Sequence, residues 1–184
     1  MHDRRFLFLM SSARPQGNSA ALARLAAQSL PANTAQAWRD LRDVDLPPFE
    51  DLRHAGGYRP VTGAAADLAQ ATLAATDIVF VAPLYWYGLP AAAKLYLDHW
   101  TRWMRAPGSD FRAQMAGKTM WLVMAHSGSE PAQIAPAVDT LRLSADYMHM
   151  RWGGVLLGNA NAPGDLSADS QAMQDAQGFF ASGA

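Results

Sequence analysis

Three short stretches of this sequence carry residues that can do chemistry, and each follows an apolar run. The first, Ser11-Ser12-Ala13-Arg14-Pro15-Gln16-Gly17-Asn18-Ser19, lies between Phe6–Met10 and a segment with Leu22, Leu25, Ala26 and Leu30 at helical spacing, ending at Pro31. A loop that opens a helix offers unpaired backbone N–H groups, and the helix dipole favours an anion there. Ser12, Asn18 and Ser19 add side-chain donors and Arg14 a charge-assisted one, a set suited to phosphate. The plainer reading is that Asn18 or Ser19 caps the helix, because both residue types favour caps. The residues alone leave these two readings even. The loop contains neither GxxxxGK[ST] nor GxGxxG, which excludes a nucleotide-hydrolysing P-loop and the common dinucleotide fingerprint.

The second stretch reads Ala82-Pro83-Leu84-Tyr85-Trp86-Tyr87-Gly88-Leu89-Pro90. It follows Asp77-Ile78-Val79-Phe80-Val81, an apolar, β-branched run without polar alternation, as expected of a strand buried on both faces. Pro83 is expected to stop that strand. Three consecutive aromatics beyond it suit contact with something flat, although in isolation such a run is more often packing. The third stretch, His126-Ser127-Gly128-Ser129-Glu130-Pro131, follows the apolar run Thr119–Ala125. A histidine at a strand end is more often a satisfied polar residue than a catalyst. A hydrolase triad of Ser127, His126 and Asp139 is disfavoured: no GxSxG elbow surrounds Ser127, and an adjacent histidine does not readily bend back to serve it. His54, His99 and His149 lack metal-ligand spacing with carboxylates and read as structural, so no metal site is expected.

The bulk properties narrow the function further. With 184 residues, half of them hydrophobic and 17% charged, the chain reads as one globular domain over 1–184. A net charge of -1 gives no pull toward nucleic acid or an anionic membrane, and counts against a small electron carrier that steers its encounters by charge. The absence of cysteine excludes disulfides, thiolate metal sites, cysteine-ligated iron–sulfur clusters and a cysteine nucleophile. The apolar run Phe6–Met10 is too short for a signal peptide or a membrane span, so no membrane insertion and a cytoplasmic location are expected.

These stretches need a scaffold. Met1–Arg5 is polar and reads as a frayed end. Thr34–Leu41 is a weaker strand candidate of mixed polarity, suited to a sheet edge. Arg42–Gly63, with Pro47, Pro48, Gly56, Gly57 and Pro60, is a long irregular connection, equally a binding or subunit surface or a plain loop. Helix faces appear at Ala64, Leu68, Ala71, Thr72 and Ala75, at Leu89–Trp103, and at Ile134, Val138, Leu141, Ala145 and Met148. Trp100 and Trp103 are either core or a subunit contact, and Lys94 with Asp98 is a solvated pair. Trp152–Leu157 is a fifth strand weakened by Gly153 and Gly154, and Leu166–Phe180 a poorly patterned last helix. Five strands alternating with helices imply an α/β fold with a parallel sheet covered on both faces. In such sheets ligands lie beyond the carboxyl ends of the strands, where the three stretches fall.

Quoted in order, SSARPQGNSAALARLA, APLYWYGLPAAAKLYLDHW and GKTMWLVMAHSGSE resemble the three loops of the flavodoxin-like NAD(P)H-dependent oxidoreductases, the group of FMN reductases and quinone reductases. The resemblance implies a flavodoxin-like three-layer sandwich with a five-stranded parallel sheet of order 2-1-3-4-5. It implies FMN as cofactor, with FAD the alternative, and NAD(P)H as co-substrate. Ser12, Arg14, Asn18 and Ser19 would then hold the flavin phosphate. Pro83, Leu84, Tyr85, Trp86 and Tyr87 would run along the flavin ring, and His126, Ser127 and Gly128 would face its polar edge. Tyr87 and His126 are the residues it places at the reacting face, with His126 donating to the ring or the acceptor. The implied reaction passes hydride from NAD(P)H to the flavin, then two electrons to a small-molecule acceptor such as a quinone or flavin, by a ping-pong scheme. A flavin-binding electron carrier or regulatory subunit is the alternative. The group also implies a homodimer, with Trp100, Trp103 and the 42–63 connection as candidate contacts.

Overall fold

The computed structural model describes residues 4–128 and 130–181, so the polar start Met1–Asp3 and Ser129 of the third stretch lie outside the described residues. Strands β1 (Arg5–Met10), β2 (Ala35–Asp40), β3 (Asp77–Pro83), β4 (Thr119–His126) and β5 (Arg151–Asn159) form one sheet ordered β2-β1-β3-β4-β5. Every pairing is parallel. The three central strands are the three continuous apolar runs, because helices cover both their faces. Leu7, Leu9, Ile78, Phe80, Met120 and Leu122 point to one core, shared with helices α2 (Gly63–Ala74), α3 (Ala91–Trp103), α4 (Phe111–Met115) and α5 (Pro131–Tyr147). Phe6, Phe8, Val79, Val81, Trp121 and Val123 point to the other, shared with α1 (Asn18–Ala27) and α6 (Ser170–Asp175).

The polar β2 lies at a sheet edge, where one side of a strand needs no partner. At the opposite edge the two glycines of β5 have a packing cause. A Cβ at Gly153 would stand 2.4 Å from the Trp121 indole, which lies against the strand, and Gly154 has a φ of +133° at a register shift opposite Met120 and Trp121.

Several expectations change. β3 runs past Val81 and ends on Pro83, which still pairs with Ala125, and Leu84 N donates to Ala125 O at 2.9 Å just beyond it. The last helix is broken into a 3₁₀ turn at Asp165–Ala168, α6, and a second 3₁₀ turn at Phe179–Ala181, in keeping with its weak apolar periodicity. Trp100 and Trp103, offered as subunit contacts, are 4% and 2% exposed and belong to the core around Tyr96 and Phe111. The short α4 has no counterpart in the sequence pattern. The 42–63 connection is irregular but anchored: buried His99 donates from Nε2 to Pro47 O at 2.9 Å, and Tyr58 is buried. No helix among the described residues is long and apolar enough to cross a membrane.

Candidate active site

Because β1, β3 and β4 are neighbours, the loops at their carboxyl ends converge on one cleft of about 530 Å³, measured to include its open mouth. The first loop contributes Ser12, Arg14, Gly17, Asn18 and Ser19. The capping reading of that loop falls: the N-cap of α1 is Gly17, and no side chain caps the helix. Asn18 and Ser19 are buried and turned to other tasks. The Asn18 amide donates to Ala162 O at 2.9 Å and accepts from Gly164 N at 3.2 Å, while Ser19 Oγ accepts from Ala125 N at 3.1 Å. Ala21 N is the donor that reaches Gly17 O, which leaves the amides of Asn18, Ser19 and Ala20 as the orphan first turn.

Gly17 keeps this end open, since a Cβ there would stand 3.1 Å from Ser12 Oγ. That hydroxyl accepts from Arg14 N at 3.3 Å and keeps its own proton to donate. Arg14 donates one N–H to Asn161 O at 3.1 Å and carries an exposed cation into the wall. The result is a donor-rich, acceptor-poor pocket end that fits an anionic oxygen group.

The second loop lines the cleft with Pro83, Leu84 and Tyr85. Tyr85 and Gly88 exchange two backbone hydrogen bonds, at 3.2 and 3.0 Å, and close a two-residue hairpin over Trp86 and Tyr87. Both central residues are left-handed, with φ of 48° and 62°, the signature of a type I′ turn that favours Asn and Gly. Two aromatic residues in that region cost roughly 1–2 kcal/mol each. The packing reading also falls, because Trp86 is 95% and Tyr87 54% exposed. These two stand at the mouth, outside the cleft wall proper.

The third loop brings Ala125, His126 and Ser127 to the cleft. His126 Nδ1 donates to Gly128 O at 2.9 Å, which leaves Nε2 as the ring nitrogen not engaged by that bond. Gly128 is not in the wall; a Cβ there would lie 2.1 Å from Gln133 Oε1, which fills the space behind the loop.

A fourth segment, Ala160 and Asn161 after β5, completes the wall and was not singled out in the sequence. Its run Asn159-Ala160-Asn161-Ala162-Pro163-Gly164 is a cluster of turn formers, the one available signal. Asp169 and Asp165 hold it in place. Asp169 accepts from Asn159 N at 2.7 Å and Ala172 N at 3.0 Å, and Asp165 accepts from Ala162 N at 2.7 Å. Those backbone donors, Ala172 first and then Asn159, hold the Asp169 carboxyl below the usual carboxylate range.

Residues 4–179 match the profile of the flavodoxin-like fold family. The chain belongs to the flavodoxin-like family. Within the curated proteins it is 32% identical over 165 residues to YwqN of Bacillus subtilis (strain 168), covering 89% of each chain; that protein is provisionally named an NAD(P)H-dependent FMN-containing oxidoreductase. Solved flavodoxin-like structures superpose over nearly the whole chain. The Trp repressor binding protein from Bacillus subtilis does so with a TM-score of 0.75 at 22% identity, covering 96% of this chain and 97% of its own. The NAD(P)H:quinone oxidoreductase of Methanothermobacter marburgensis gives 0.71 at 16% identity, over 97% and 98%. The FMN-dependent NADH-azoreductase of Bacillus anthracis (strain Ames Ancestor), solved with FMN, gives 0.70 at 12% identity, again over 97% and 98%. At these identities the superpositions establish the shared fold.

Proposed function

We propose that this flavodoxin-like protein is an FMN-dependent NAD(P)H oxidoreductase that reduces a quinone, a flavin or a similar acceptor. The observation that carries the reading is the uncapped amino end of α1, flanked by Ser12 and Arg14, at one end of a cleft walled by Pro83–Tyr85. The likeness to the Bacillus subtilis protein supports it. The donors fit a phosphate monoester, and the walls between the second and third loops fit a flat ring.

When bound, FMN supplies the two-electron centre that accepts hydride from NAD(P)H and serves the acceptor. The chain supplies position. Ser12, Arg14 and the amides of Asn18 and Ser19 bind the phosphate, while the side chains of Asn18 and Ser19 brace the loop against residues 162–164 and β4. Pro83, Leu84 and Tyr85 line one side of the ring, and His126 and Ser127 its polar edge, with Gly128 behind them holding the His126 ring through its carbonyl. Trp86 and Tyr87 form the platform at the mouth on which NAD(P)H and then the acceptor stack. One platform serving two substrates in turn gives a ping-pong scheme. The protein acts as a single flavin-binding domain in a cytoplasmic homodimer. With Trp100 and Trp103 buried, the 42–63 connection is the remaining candidate contact.

Initial rates with FMN-loaded protein, at several fixed quinone concentrations and varied NADH or NADPH, test the reading. Parallel double-reciprocal lines are expected. Intersecting lines would contradict the shared platform, and no turnover with either nucleotide would contradict the enzyme.

A further inference from the structure

The segment after β5 brings Ala160 and Asn161 to the cleft, and of these only Asn161 carries a polar side chain. The backbone around it is already engaged. Asn159 N donates to Asp169 at 2.7 Å, Ala160 N to His126 O at 2.8 Å, and Asn161 N and Ala162 N to Asp165 at 3.2 and 2.7 Å. Pro163 has no N–H, and Gly164 N donates to the Asn18 side chain at 3.2 Å. Every amide of this run therefore has a protein acceptor and none is left for a ligand. Two of its carbonyls are taken as well: Asn161 O accepts from Arg14 at 3.1 Å and Ala162 O from the Asn18 amide at 2.9 Å.

Asn161 itself is exposed, and among the described residues it bonds only through its backbone. Asparagine often serves a turn by bonding the main chain with its own side chain. Here the carboxylates of Asp165 and Asp169 do that work, so the turn makes no use of the Asn161 carboxamide. What it adjoins gives it another use. The bond to Asn161 O takes one N–H of the Arg14 fork and leaves the others for a ligand. Arg14 and Asn161 line the same cleft, with Ser12, Gly17 and Asn18. A carboxamide carried beside a guanidinium on a fixed backbone adds an NH₂ donor for an anionic oxygen at little ordering cost.

We propose that Asn161 is a specificity-determining residue whose side-chain NH₂ donates to a phosphate oxygen of the bound ligand, alongside Arg14. This rests on the flavin reading above, in which that phosphate belongs to FMN.

The test is a fluorescence titration of wild type, Asn161→Ala and Asn161→Asp with FMN, with thermal unfolding as the check that each variant is folded. Both variants keep the backbone bonds to Arg14 and Asp165. Asn161→Ala should bind FMN about tenfold more weakly, the size of one hydrogen bond to a charged group, and Asn161→Asp about a hundredfold, because a carboxylate also repels the phosphate. In phosphorus-31 spectra at saturating FMN, the bound resonance should differ between wild type and Asn161→Ala. Unchanged FMN affinity in Asn161→Ala would overturn the inference while leaving the flavin reading intact. Weaker binding with an unmoved phosphorus resonance would place Asn161 away from the phosphate and overturn it too. Failure of wild type to bind FMN would overturn both.

Discussion

The two ends of the same sheet are built on opposite principles. At the amino end, buried Asp77 accepts from Arg4 Nε at 3.1 Å, Arg4 Nη2 at 2.5 Å, Thr76 Oγ1 at 2.7 Å and Trp121 Nε1 at 2.9 Å. Arg4 also donates to Phe180 O at 2.5 Å, tying the start of β1 to the second 3₁₀ turn. Beside it, the Lys118 ammonium donates to Leu73 O and Ala75 O and closes the end of α2, and partial burial holds its pKa below the ordinary lysine range. At the carboxyl end the same strands deliver an uncapped helix, an imidazole with Nε2 unengaged and an exposed aromatic hairpin in left-handed backbone. Satisfied polar groups at one end stabilise the fold, and unpaired ones at the other are the groups assigned to the proposed flavin site.

The contrast can be broken by removing its closed end. Asp77→Ala leaves Arg4 and Trp121 without their acceptor and should lower unfolding free energy by about 3 kcal/mol in urea titrations, a value tempered by the partial exposure of Arg4. Protein that remains folded should bind FMN as wild type does. Loss of binding without loss of stability would reverse the assignment of the two ends.

The open end answers to the opposite change. Gly17→Asp supplies a cap and a negative charge where phosphate should sit, so FMN affinity should fall by about a hundredfold while stability, with the cap's gain set against the crowding of Ser12 Oγ, changes by only a few tenths of a kcal/mol. Equal FMN affinity in fluorescence titration would exclude this helix end from the site.

Smaller effects sharpen the comparison. Replacing Trp86 by Asn and Tyr87 by Gly gives the hairpin its preferred turn residues and should raise stability by about 1–2 kcal/mol. The same change should slow acceptor reduction, which stopped-flow reoxidation would measure. Asp169→Ala removes the α6 cap and a bond to Asn159 N, for a loss of about 1 kcal/mol. Asp169 has a depressed pKa in the folded state, so its contribution is present above the unfolded carboxyl pKa and lost as pH falls through the folded value. The Asp169→Ala deficit should therefore shrink in acid.

What could be read from sequence follows the same division. Phe6–Met10, Asp77–Val81 and Thr119–Ala125 announce buried parallel strands, because burial on both faces leaves an unbroken apolar run. Their order in space is no property of any one run, and it came with the resemblance. Side-chain assignments within the first loop were less legible: Asn18 and Ser19 have the composition of caps or ligand donors, yet long-range partners at 162–164 and Ala125 take them. The wall at Ala160 and Asn161 was missed for the same reason, since it meets the first loop across more than 140 residues. The tautomer of His126 depends on a carbonyl two residues away that composition does not orient.

The most direct test of the central claim, that the open carboxyl end holds a redox-active flavin, is the absorbance spectrum of FMN-loaded protein before and after anaerobic NADPH or NADH. The account predicts flavin bands bleached within seconds by at least one nucleotide, and a Gly17→Asp protein that takes up FMN about a hundredfold more weakly. A wild-type protein that takes up no flavin, or flavin bands that neither nucleotide bleaches, would contradict it.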